Sequence, residues 1–327
     1  MWGFFVTFNN RMENYKNIKC CKIVATYFGI RRYYPQNEDK VIEMLKDFVE
    51  HEKTIDPGVE NLDVIFINHN CGSVKGNNFL DSVDGKKIYN GTIRTIHRPW
   101  DKGKGVCLGS FDYGVKLIKN QYDYIFLQED DYKIMHQGYY GEGIRILEDD
   151  KKTAFVGYDM YFWENIFKDK STTLEEIFKV SKEKRSELIT QLNVLKIFFT
   201  PLIFIFGYWK YIPPYLKALK KIKLLVKQGK IPFCSGMMGL TKPKFLTEVL
   251  KIKGQLPFPQ IEYNENQKPY QKRNKIGKLK QNVKFALLCV LGEMEFTRIY
   301  TDFGYNIKSY SNLNELIFSY KKNKFKK

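Results

Sequence analysis

Short β-branched runs alternate with helix-spaced apolar residues over the first 160 positions, and this alternation constrains the fold more than any other feature of the chain. Lys22–Phe28 (KIVATYF) reads as a buried strand ending at Gly29. Val41, Met44, Leu45, Phe48 and Val49 then recur at helical spacing, with Asn37 placed to cap them. Asp63–Asn68 (DVIFIN) reads as a second strand and completes a βαβ unit, which requires parallel pairing and a right-handed crossover. A strand over Thr92–His97 and a helix over Leu108–Lys119 follow, the helix carrying Phe111, Val115 and Ile118 on one face. Tyr122–Leu127 (YDYIFL) is the clearest strand, and a helix near Gly141–Glu148 leads to another at Thr153–Tyr158. The pattern predicts an α/β fold, a mostly parallel sheet flanked by helices. Such sheets bind ligands at the carboxyl ends of their strands, so Tyr27–Arg31, Asn68–Asn70, Arg98 and Glu129–Asp131 are expected to border one crevice.

The remainder divides into an insertion over 161–232 and a second globular stretch over 233–327. Thr172 and Glu175 form a capping box for a long helix in the insertion. The apolar segment Ile197–Trp209 is too short to cross a bilayer as a helix, which takes about 20 residues. Lys- and Leu-rich sequence from Tyr215 to Lys230 follows it, and the pair suits either a membrane-surface anchor or a buried hairpin under a lid. Beyond it, Thr241 is placed to cap a helix over Lys242–Lys253 that stops at Gly254. Gln255–Gln281 reads as a loop, Leu291–Phe303 as an amphipathic helix closed by Gly304, and Asn306–Tyr310 as a strand. A short helix and a basic tail complete the reading.

With 43% hydrophobic and 28% charged residues among 327, the chain can bury a sizeable core, which excludes a disordered tail. Its formal charge of +18 suits anionic partners or a solvated Lys-rich surface. The six cysteines show no metal-ligand spacing and read as reduced thiols in a cytosolic setting. The apolar start, Met1–Phe8, is too short for a secretory signal and no basic segment precedes it. The expected location is therefore cytoplasmic, with peripheral contact at a membrane surface as an option.

The acidic triple Glu129, Asp130 and Asp131 follows YDYIFLQ at a strand end. Three adjacent carboxylates at a crevice repel one another, and a divalent cation relieves that repulsion. Hard oxygen ligands suit Mg²⁺ or Mn²⁺, and such an ion neutralises charge on a departing diphosphate. The alternative is a solvated acidic loop. Gly103, Gly105 and Gly109 match no phosphate-loop spacing and read as a turn into a helix. Ser235, in CSGMMG, does not sit in a nucleophile elbow. His51, His69, His97 and His136 form no metal-spaced pair; His69 and His97 fall near strand ends, where they could line the crevice, with core or rim packing the favoured reading.

Three segments together resemble family 2 glycosyltransferases and their relatives with the GT-A fold, a Rossmann-like sheet. Arg98–Asp131 is similar to the family's run from an Arg through a helix and an apolar strand into a D-x-D metal motif. Phe233–Leu240 (FCSGMMGL) resembles its small-residue segment beside donor and acceptor. Gly292–Tyr310 (GEMEFTRIYTDFGYNIKSY) resembles the segment supplying the catalytic base. The resemblance implies that Glu129 and Asp131 hold Mn²⁺ or Mg²⁺ and that Asp130 reaches the ribose or a second metal. It implies that Tyr27, Gly29 and Arg31 bind the nucleotide, that Asn68 and Asn70 lie near the base, and that Arg98 lies near base and ribose. Glu293, where the family has Asp, is implied as the base, with Glu295 the acid two residues on; a helix-dipole acid is the bland reading of Glu293.

The implied reaction moves a sugar from a UDP- or GDP-sugar to a hydroxyl of a glycan, lipid-linked or protein acceptor, with inversion. No specific nucleic acid is expected as a partner. Two rivals stand beside it. One is a nucleotidyltransferase on a similar sheet, for which FGIRRYY supplies two arginines after the first strand. The other is a non-catalytic basic protein binding membrane or nucleic acid.

Overall fold

The structure is a computed structural model that describes residues 17–28, 38–69, 73–99, 106–157, 238–256, 298–310 and 317–319, with single positions between 213 and 228 and at 292 and 295. Its elements run β1 Cys20–Tyr27, α1 Glu38–Glu52, β2 Leu62–His69, α2 Val74–Val83, β3 Ile93–Arg98, α3 Val106–Ile118, β4 Tyr124–Glu129, β5 Tyr132–Ile134, α4 Tyr139–Glu148, β6 Thr153–Gly157, β7 Gly239–Thr241, α5 Pro243–Lys253, β8 Asn306–Ser309 and β9 Ile317–Ser319.

Seven strands form one sheet in the order β3-β2-β1-β4-β7-β6-β8. β1 pairs parallel with β2 and β4, β2 with β3, and β6 with β8, whereas β7 runs antiparallel to both its neighbours. The mostly parallel α/β sheet expected from the alternation is thus present, with one reversed strand inside it. The reversed strand is where a chain returning from the 161–232 segment enters between β4 and β6. Gly239 permits this close approach: a Cβ there would lie 2.3 Å from the Val156 carbonyl oxygen.

Parallel strands covered on both sides need apolar residues on both faces, and the buried clusters show that division. Ile23, Ala25, Ile65, Ile67, Ile125 and Leu127 face α3 and α5. On the other side Val24, Val64 and Phe66 pack under α1 and α2, while Tyr124 and Phe126 pack under α4.

One expectation needs correction, and some elements went unread. Thr241 does not cap α5: it belongs to β7, and its hydroxyl donates to the Ala154 carbonyl at 2.7 Å. Lys242 takes the cap position, and Pro243 starts the helix, where a missing N–H costs nothing. The helix α2 went unread because VKGNNFLDSV carries only Phe79, Leu80 and Val83 as large apolar residues near one side; its Ser73 cap accepts from the Gly76 amide at 2.9 Å. Residues 317–319 form a further short strand, against β5, that was not read from the sequence. Gly254 and Gly304 end their segments with φ of +72° and +82°, as read from the sequence. The Asn37 cap, the Thr172–Glu175 capping box, the Ile197–Trp209 segment and Ser235 lie outside the described residues, as does most of the Gln255–Gln281 loop. Among the described residues no helix is long and apolar enough to cross a membrane.

Candidate functional site

The sheet reverses its direction of growth between β1 and β4. From β1 the chain steps outward through β2 and β3, then crosses back by α3 to place β4 on the other side of β1. α1 and α2 cover one face and α3 the other, and the chain leaving β4 runs through β5 into α4, which packs on the same face as α1 and α2. In open α/β sheets, ligands bind outside the carboxyl ends of the strands where the strand order reverses in this way.

The acidic triple lies at that point. Glu129 ends β4 in register with Ala25 of β1. Asp130 and Asp131 make the tight turn into β5, and Gln128 pins the turn by donating from Nε2 to the Tyr132 carbonyl at 2.8 Å. All three acids are buried, with 9%, 1% and 3% of Glu129, Asp130 and Asp131 exposed. Burying three consecutive carboxylates at a strand end is unfavourable unless positive charge or hydrogen-bond donors meet them. The solvated-loop alternative requires exposed side chains, and these are not exposed.

Among the described residues no three His, Cys, Asp or Glu side chains converge into a complete metal cluster. A Mg²⁺ ion is in general held by one or two protein carboxylates, with phosphate oxygens and waters filling the rest of its coordination. The donor chemistry of Glu129 and Asp131, oxygen only, fits such an ion.

The other candidate residues fall along the same sheet edge in two rows, fixed by strand register. Tyr27, His69 and Arg98 are paired across β1, β2 and β3, on the face that Ala25 and Glu129 share. The row spans roughly 14 Å from β3 to β4, taking about 4.8 Å per strand. Arg98 is buried at the end of β3. Asn68 lies on the opposite face, in register with Thr26 and His97. The structure thus brings Tyr27, Asn68, Arg98 and the acidic triple to one edge, and separates Asn68 from the others by the thickness of the sheet.

Asn68 is held by a polar chain. Its Nδ2 donates to Asn77 Oδ1 at 2.8 Å and to His97 Nδ1 at 2.9 Å, while His97 Nε2 lies 2.7 Å from Asp81 Oδ1. Three buried side-chain oxygens on neighbouring strands of this face have no hydrogen-bond partner: Thr26 Oγ1, Asn68 Oδ1 and Gln128 Oε1. Buried polar atoms are nearly always paired, so Thr26 Oγ1 and Asn68 Oδ1, in register with each other, and Gln128 Oε1, two residues deeper, each call for a partner from water or a ligand. The sequence favoured packing for His97 over a place lining the crevice and did not single out Asp81, which sits on the unread helix α2. The available signal was the position of His97 one residue before a strand end.

Gly29, Arg31, Asn70 and Glu293 lie outside the described residues. Glu295 is helical and exposed. One turn on, Arg298 donates to Asp302 at 2.8 Å, and Asp302 also pairs with Lys221.

No family model matches the chain, and no curated protein matches it. Among solved structures it is similar to a cytidylyltransferase from Leptospira borgpetersenii, with 10% identity over 90% of this chain and 77% of that one and a TM-score of 0.38. It is also similar to 4-diphosphocytidyl-2C-methyl-D-erythritol synthase from Anaerococcus prevotii, with 17% identity over 45% of this chain and a TM-score of 0.28. A third is mouse xyloside xylosyltransferase 1 in its apo form, with 8% identity over 47% of this chain and a TM-score of 0.30. The chain spans only 56% of the synthase and 59% of the xylosyltransferase. Overlaps this shallow fix no activity, and the chemistry follows from the strand-end residues of this chain.

Proposed function

We propose that the chain is a metal-dependent glycosyltransferase of the GT-A type, moving a sugar from a UDP- or GDP-sugar to a hydroxyl of a glycan, lipid-linked or protein acceptor. The observation that carries this reading is the burial of Glu129, Asp130 and Asp131 at the switch point between β1 and β4. Glu129 and Asp131 hold Mn²⁺ or Mg²⁺, which when bound neutralises the negative charge of the departing diphosphate. Asp130 is within the same turn and takes the ribose. Tyr27 and Arg98, with Gly29 and Arg31 of the following loop, hold the nucleotide, and Asn68 faces its base. Glu293 accepts the proton of the acceptor hydroxyl as that oxygen attacks the anomeric carbon. A single displacement with the base opposite the leaving group inverts the configuration. The apolar and basic stretch over 197–230 rests against the cytoplasmic surface of a membrane.

The test is thermal stability with Mn²⁺ and a panel of nucleoside diphosphates, on the wild type and on Asp131→Asn. A metal-dependent rise with one nucleotide, absent in the variant, supports the donor site. Product analysis then separates sugar transfer, which releases a nucleoside diphosphate, from nucleotidyl transfer, which releases pyrophosphate. No shift with any nucleotide sinks the donor-site reading.

A further inference from the structure

The carboxamide of Asn68 has a fixed orientation, and the reason lies two residues away. Asp81 offers only acceptor oxygens when ionised, so the His97 Nε2 facing it at 2.7 Å carries a hydrogen. In a neutral imidazole the other nitrogen is then an acceptor, and its tautomer is set by that first contact. His97 Nδ1 therefore accepts from Asn68 Nδ2 at 2.9 Å, and the second Nδ2 hydrogen goes to Asn77 Oδ1 at 2.8 Å. Both amide hydrogens are committed. Asn68 Oδ1 is left as a buried acceptor without a donor, beside the equally unpartnered Thr26 Oγ1 in register on β1. Flipping the amide would set Oδ1 against His97 Nδ1, two acceptors, for as long as Asp81 holds the hydrogen on Nε2.

We infer that His97 and Asp81 are positioning residues that make Asn68 Oδ1 an obligate acceptor for an N–H on the base of the bound nucleotide. This rests on the nucleotide-binding reading of the sheet edge. It also builds in a pH response. Protonated His97 carries hydrogens on both nitrogens, so Asn68 must turn its oxygen toward Nδ1 and present Nδ2 to the ligand instead. The acceptor becomes a donor, and an N–H on the base is repelled. On its own face α2 also carries Lys75, paired with Asp39, and Asp84, which accepts from the Thr95 amide. Asp112 and Lys116 of α3 pair with each other, and α3 packs on the opposite face of the sheet. Arg98 follows His97 on β3 with its side chain on that opposite face.

The experiment joins ¹⁵N NMR of the histidine ring with binding of UDP, GDP and CDP in Mn²⁺. At about pH 8 the apo protein should show His97 as the Nε2–H tautomer, and Asp81→Asn should give a tautomer mixture. An Nδ1–H tautomer in the wild type overturns the lock. Wild-type affinity for the diphosphate that binds should fall about tenfold between roughly pH 8 and pH 5, the worth of one hydrogen bond reversed. His97→Gln, whose amide can accept from Asn68 and donate to Asp81, should bind within about twofold of wild type with a flat profile. His97→Phe should bind about tenfold more weakly at every pH. Wild-type binding by His97→Phe overturns the positioning role, and so does a pH profile unchanged in His97→Gln, which decides the matter should His97→Phe not fold. If no diphosphate binds the wild type, the nucleotide reading and this recognition fall together, while the tautomer still reports whether the lock exists.

Discussion

Lys22 Nζ lies 2.7 Å from both carboxylate oxygens of Glu52, and both side chains are buried. The pair joins β1 to the last residue of α1, toward the end of the sheet opposite the edge that carries the site. The rings of Tyr139 and Phe48 stand 4.7 Å and 5.8 Å from the ammonium, so aromatic faces meet the charge where Glu52 does not. Removing one partner strands the other in a dry core. Lys22→Met alone should cost about 3–5 kcal/mol in urea unfolding, and Lys22→Met with Glu52→Leu should recover most of that. A small effect of the single variant would mean that water reaches the pair.

Alkaline pH tests the same core with a worked sign. Burial pushes the Cys20 thiol up from 9.0 to about 12, and burial likewise raises Cys21, Tyr140 and Tyr122. These groups stay protonated in the fold where the unfolded chain has lost the proton. Stability is therefore fully present below about pH 9 and is lost above it, by about 1.4 kcal/mol per pH unit for each proton involved. Lys22 works in the opposite direction: burial lowers it despite Glu52, so its contribution improves with pH up to 10.5. The acids outnumber it, and unfolding monitored between about pH 8 and 11 should show a net loss. Cys20→Ala should flatten the slope; an unchanged slope would place the thiol in contact with water.

Asp131→Asn separates function from stability. Asp131 is buried among contacts of the fold, so Asp131→Asn should cost the apo protein no more than about 1 kcal/mol. Its transfer activity should fall about a hundredfold or more, because charge on the leaving group is no longer met. Thermal melts beside turnover assays check both halves. A strongly destabilised apo variant would make Asp131 a structural acceptor.

Two glycines should respond differently to alanine. At Gly239 the new Cβ meets the Val156 carbonyl oxygen at 2.3 Å, a backbone atom that cannot yield, so Gly239→Ala should cost about 3 kcal/mol. At Gly254 nothing lies within 4 Å and only the φ of +72° is at issue, so Gly254→Ala should cost about 1 kcal/mol. Denaturation midpoints of the two variants compare them directly, and equal costs would mean that β7 can shift away from β6.

Much of the first half was legible because local pattern and tertiary role agree there. YDYIFL is apolar on both faces because the strand it forms is covered on both faces, and the observed β4 begins within two residues of that reading. The same alternation placed Tyr27, Asn68, Arg98 and Glu129 at strand ends, and strand register puts those ends on one edge. Helix α2 was missed because its packing on β2 and β3 rests on few large residues and on Gly76, against which the Phe28 ring lies close.

Lys22 shows what a local pattern cannot carry. Lys22 opens a run read as a buried strand, and its charge can be buried there because Glu52, 30 residues on, ends a helix above it. The antiparallel entry of β7 between β4 and β6 is equally non-local, since it depends on Gly239 meeting Val156 across a long stretch of chain. By itself the sequence determined the βαβ alternation, the strand that carries the acids and the edge on which they emerge, because two-residue and helical periodicities are read within one element. The tertiary structure decided that the acids are buried at a switch point, that Asn68 faces away from Arg98, and that Asp81 and His97 orient its amide. Those facts depend on crossovers and register, which bring together residues that no spacing along the chain relates.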